Sequence, residues 1–118
     1  MMEERRQFLR APLSLMVKYK GQEDIMAEAF TGIIGGGGLF IETFNPLPMN
    51  REITMELHLP GKIEKTVIEG KVVWNRQSFA GEFAPGMGIK FTKVSKKDQA
   101  EISELVTRIL VGGTEEGP

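Results

Sequence analysis

Ile53-Thr54-Met55-Glu56-Leu57-His58-Leu59 alternates apolar and polar residues without a break. That spacing is the period of two that belongs to a β-strand, not the 3.6 of a helix. Ile53, Met55, Leu57 and Leu59 share one face, while Thr54, Glu56 and His58 share the other. Pro60-Gly61 follows as a turn signal and residues 65–74 return as a long strand. Together the two runs predict an antiparallel hairpin with one buried face.

Working outward, the rest of the chain reads as more strand and then one helix. Residues 13–19 alternate directly after Pro12 and predict a first strand, and Gly21-Gln22-Glu23-Asp24 reads as a turn. A second strand is expected over residues 25–34, then four glycines (Gly35 to Gly38) and a short third strand over 39–43. Asn45-Pro46-Leu47-Pro48 breaks the ladder, because proline has no amide hydrogen to donate. Residues 76–85 read as a loop and 86–91 as the last strand. Ser95 is placed to cap a helix, with Asp98 three positions on. Ile102, Leu105, Val106 and Ile109 then recur at helical spacing, and Gly112-Gly113 supplies a stop. Six short strands closed by a helix predict an all-β fold, a six-stranded antiparallel barrel with a C-terminal α-helix.

The 118 residues fit one domain. The expected divisions are a flexible leader over 1–12, the barrel and helix over 13–111, and a disordered tail over 112–118. A net charge of −1 argues against general electrostatic binding to nucleic acid, so any basic site is local. There is no cysteine, which removes disulfides and thiol chemistry. No apolar run approaches the roughly 20 residues that span a bilayer, and no apolar h-region follows the charged start. A soluble, cytoplasmic protein without membrane insertion is the resulting expectation.

Catalytic chemistry has little to stand on. His58 is the only histidine and falls on the outward face of a regular strand. No Ser/His/Asp set, no H-E-x-x-H motif and no cluster of metal ligands is visible, so neither an enzyme, a metal nor a cofactor is expected. The glycine run is not a phosphate-binding P-loop, since no Gly-Lys-Ser/Thr follows it. It reads either as a barrel corner or as backbone that lets a ligand approach closely.

The start of the chain is more specific. Arg5, Arg6 and Arg10 crowd into six residues ahead of the first strand, with apolar Phe8 and Leu9 between the last two. Guanidinium groups suit phosphate oxygens and the O6/N7 edge of guanine, and Phe8 and Leu9 are placed to pin the leader to the barrel.

These residues resemble the PilZ domain family. Its R-x-x-x-R motif is matched by Arg6-Gln7-Phe8-Leu9-Arg10, with Arg5 in front. Its second motif, D/N-x-S-x-x-G before an apolar strand, falls on Ile33 to Gly38 before Leu39-Phe40-Ile41. Further similarity lies in Leu57-His58-Leu59-Pro60-Gly61, Glu69-Gly70-Lys71-Val72-Val73-Trp74 and Pro85-Gly86-Met87-Gly88-Ile89-Lys90-Phe91, covering about residues 4 to 110. The resemblance implies the same barrel and a receptor for the second messenger cyclic di-GMP, signalling to an effector protein. It makes Arg6 and Arg10 the main clamp, with Arg5 assisting. Gly38 is the motif glycine, Gly35 and Gly37 are backbone contacts, and Trp74 is a stacking platform. The departure is at Ile33 and Gly35, which replace the two polar side chains of the second motif. Two lost hydrogen bonds of about 1.5–3 kcal/mol each correspond to roughly a hundredfold in affinity or more. That loss raises the alternative of a ligand-independent adaptor in type IV pilus or motility machinery.

Overall fold

Residues 8–112 are described by a computed structural model. The elements follow as β1 (Arg10–Pro12), β2 (Met16–Lys20), β3 (Met26–Gly35), β4 (Gly38–Glu42), β5 (Glu52–Leu57), β6 (Thr66–Arg76), β7 (Gly86–Lys93) and α1 (Lys96–Gly112). All strand pairs are antiparallel, in the order β1-β3-β2-β5-β6-β7-β4. A β3–β4 pairing closes β2 to β7 into a ring of six, which is the expected barrel.

β1 is an additional strand. The sequence places residues 10–12 in the leader, yet Arg10, Ala11 and Pro12 pair with Gly35, Ile34 and Ile33. β1 and β2 lie end to end along one edge of β3, separated by a short kink at 13–15. Thr31 pins that kink: its hydroxyl donates to the Leu13 carbonyl (2.5 Å) and accepts from the Leu15 amide (2.9 Å). A buried hydroxyl is tolerable because it is fully partnered.

The alternation read from the central hairpin is realised. Ile53, Met55 and Leu57 of β5 are buried, and Leu57 pairs with Thr66 of β6. The turn between them contains Gly61 at φ +84°, a conformation that a β-carbon disfavours. His58 lies just past β5 and is exposed. α1 starts at its expected cap, where Ser95 Oγ accepts the Asp98 amide at 3.0 Å. Ile102 and Val106 are fully buried in the same apolar cluster as the barrel interior, with Leu105 and Ile109 packed beside them. The helix runs to Gly112, which the sequence had placed in the tail, and residues 113–118 lie outside the described residues. No helix among the described residues is long and apolar enough to cross a membrane.

Candidate functional site

The outer face of the barrel wall, not its interior, carries the site. In an antiparallel sheet, paired residues point to the same side, so the register defines rows of neighbours. One row runs Arg10–Gly35–Gly38–Lys90 across β1, β3, β4 and β7. The next runs Ile33–Phe40–Gly88–Trp74, and a third runs Glu42–Gly86–Arg76. Glycines occupy the middle of every row. On this side the wall carries a trough of about 650 Å³, bordered by Arg10, Phe40, Trp74, Arg76 and Lys90.

A β-bulge makes this arrangement possible. Val72 pairs with Ile89 and Trp74 with Gly88, so Val73 is the extra residue on β6. Without it the alternation would turn Trp74 inward, as it does Val72; with it Trp74 is 43% exposed on the trough side. Its indole lies directly against Gly88, in space a β-carbon would fill. Across that glycine it stacks on Phe40, with ring centroids 5.2 Å apart and 22° between planes. The Arg76 guanidinium sits 5.1 Å from the Trp74 ring, 5.2 Å from Phe40 and 5.6 Å from Phe83. One of its nitrogens donates to the Ala84 carbonyl at 2.7 Å.

The glycine run is used largely by the chain itself. A β-carbon on Gly35 would come within 2.5 Å of the Leu9 carbonyl, and one on Gly38 would meet the Ile89 carbonyl. Gly36 and Gly37 form the β3–β4 turn, and the Phe8 ring packs on both of them. Gln99 of α1 donates to the Gly36 carbonyl at 3.0 Å, so the turn is held between leader and helix. None of the four adopts a positive φ. Gly36-Gly37 thus make a barrel corner, the first of the two readings, and the groups that come close to the run are the chain's own Leu9, Phe8 and Ile89.

Of the residues singled out from sequence, Arg10, Gly35, Gly37, Gly38 and Trp74 all border this trough. Arg5 and Arg6 lie outside the described residues. Ile33, the departure from the motif, also borders it and is 39% exposed. Arg76, Lys90 and Phe40 were missed. The detectable signal was Gly86-x-Gly88, two outward strand positions without side chains opposite Trp74-x-Arg76. Among the described residues, no carboxylate lies within 4 Å of the Arg10, Arg76 or Lys90 cation. Glu42 and Glu82 border the same trough, so carboxylates are near but not paired with them. The described residues contain no group of three or more side chains placed to hold a metal ion.

Solved structures share this fold at low identity. A Bacillus subtilis inhibitor of motility (MotI/DgrA) is 16% identical with a TM-score of 0.80, over 93% of this chain and 53% of that one. The chain thus spans about half the length of that protein. The PilZ domain of Escherichia coli YcgR with c-di-GMP is 17% identical with a TM-score of 0.68, over 97% of this chain and 100% of that one. The K. pneumonia MrkH–c-di-GMP complex is 13% identical with a TM-score of 0.73, over 98% and 57%. No curated protein matches the sequence. A family model for the PilZ domain matches residues 4–108, nearly the whole chain, and it does so on the barrel, leader and helix described above. The chain belongs to the PilZ domain family.

Proposed function

We propose that this domain is a receptor module for cyclic di-GMP, whose ligand-bound surface is read by an effector protein. The observation that carries the reading is a trough bordered by Arg10, Arg76 and Lys90, none ion-paired among the described residues, beside a stacked Phe40–Trp74 pair. Cations without carboxylate partners favour an anionic occupant, and an exposed aromatic ledge favours a planar one. A volume of about 650 Å³ lies within the usual range for small-molecule sites. Two of the similar structures are described as c-di-GMP complexes.

In this reading Arg6 and Arg10 grip the phosphates with Arg5 assisting, the backbone at Gly35, Gly37 and Gly38 forms the floor, and Trp74 stacks on a base. The protein works in the cytoplasm, as a binding module and not as an enzyme, and its output is motility or type IV pilus function. The similar inhibitor of motility supports the motility branch. Phe44, Phe79 and Phe83 are 74%, 58% and 68% exposed and offer the effector apolar contact. Calorimetric titration with cyclic di-GMP tests the reading. Binding is expected in the parent and roughly ten- to hundredfold weaker in Arg10→Ala and Arg6→Ala. No heat at high micromolar ligand, or equal binding by all three proteins, overturns it in favour of the ligand-independent adaptor.

A further inference from the structure

Arg76 is the least conventional part of the trough. It comes from the end of β6, across the barrel wall from the leader, and it is half-buried where Arg10 and Lys90 are exposed. Three aromatic rings within 5.6 Å and the Ala84 carbonyl fix the plane of its guanidinium. A guanidinium held in this way loses little side-chain freedom when it binds a planar acceptor pair. Among the described residues the group makes one donor contact, to Ala84, and no carboxylate is paired with it. The rest of the fork is available beside the Phe40–Trp74 ledge.

We propose that Arg76 is a specificity-determining residue that reads the O6/N7 edge of a guanine stacked on that ledge. The inference rests on the proposed receptor function and adds the group that selects the base. Guanine presents two acceptors on this edge, which a guanidinium fork meets bidentately. Adenine presents an acceptor and an amino donor there, and the amino group meets the fork donor to donor. Neither Ile33 nor Gly35 has a polar side-chain atom, so neither can make this discrimination. A phosphate role fits less well, because the exposed cations Arg10 and Lys90 already line the trough.

The test is parallel titration of the full chain with cyclic di-GMP and cyclic di-AMP, whose phosphodiester rings are identical. The parent is expected to prefer the guanine compound. Arg76→Lys keeps the charge but loses the fork, and should weaken cyclic di-GMP about ten- to hundredfold while leaving cyclic di-AMP nearly unchanged. Arg76→Gln, whose amide matches the adenine edge, should narrow or reverse the preference. Equal weakening of both compounds would show a phosphate or merely structural role and overturn the proposal, as would unchanged affinities or a parent without preference. In the last two cases the receptor reading survives. A parent that binds neither compound overturns both.

Discussion

Ile33 and Gly35 stand at the two positions where the family motif carries polar side chains, and their surroundings differ. Ile33 is 39% exposed on the trough wall, so an aspartate there keeps part of its hydration. Gly35 is pressed against β1, where a new β-carbon would lie 2.5 Å from the Leu9 carbonyl. Restoring the motif is therefore not one operation but two with opposite signs. Ile33→Asp should cost about 1 kcal/mol of strand preference at most. It should also tighten cyclic di-GMP binding roughly tenfold through one new charge-assisted bond. Gly35→Ser should displace β1, destabilise the fold and weaken binding. Urea melts and titrations of the two single variants decide this, and a Gly35→Ser protein as stable as the parent would refute the steric account. A second residue invites a simpler test. Thr66 is buried with a hydroxyl that has no hydrogen-bond partner among the described residues. Thr66→Val preserves the shape and removes the unsatisfied group, so the urea midpoint should rise by the equivalent of about 1 kcal/mol with an unchanged slope.

At the scale of elements, what could be read from sequence was whatever a single element decides for itself. The period of two in Ile53-Met55-Leu57, the stripe of Ile102, Leu105, Val106 and Ile109, and the Ser95 cap are local patterns, and each appears in the structure. β1 is not local: Arg10-Ala11-Pro12 is too short to show alternation, and its pairing is imposed by the edge of β3. The bulge at Val73 is likewise set by β7, and missing it left Arg76 in a loop instead of on the trough wall. Trough-bordering residues that fall in a motif, such as Arg10 and Gly38, could be named from sequence, whereas Arg76 and Lys90, brought there by register, could not. One contact between elements also went unread. Lys62, in the loop after β5, reaches α1 and meets Glu101 at 2.8 Å and Asp98 at 3.7 Å. The hydrogen bond from Lys62 holds the Glu101 carboxyl below its ordinary value of 4.5, against the opposing effect of burial. The same bond raises Lys62 above its ordinary 10.5. A lowered carboxyl stabilises the fold above pH 4.5 and loses that contribution as pH falls through its folded value. A raised amine stabilises it below pH 10.5 and loses that contribution as pH climbs through its folded value. The stability difference between the parent and Lys62→Met should therefore be flat between these limits and shrink outside both. A difference that persists in acid would mean that the side chain acts by packing alone.

For the molecule as a whole, the question is whether barrel and helix melt together. α1 could be an appendage, since it lies outside the closed ring of strands. Its buried residues argue otherwise: Ile102 and Val106 belong to one continuous apolar cluster with Ile34, Leu39 and Ala11. Gln99 also ties the helix to the β3–β4 turn on which Phe8 is seated. Removing the helix would uncover β1 and the turn, the elements that carry Arg10 and the trough floor. Unfolding should then be a single cooperative transition. Trp74 is the only tryptophan, so its fluorescence reports the barrel wall, while far-ultraviolet circular dichroism is dominated by α1. The two signals should change at the same urea concentration. Ile102→Ala should move both midpoints down together, by the equivalent of about 2–5 kcal/mol for a buried isoleucine cut to its β-carbon. It should also weaken nucleotide binding, because β1 then loses part of its support. If the helical signal is lost first and Trp74 follows later, α1 is a separate unit and the trough does not depend on it.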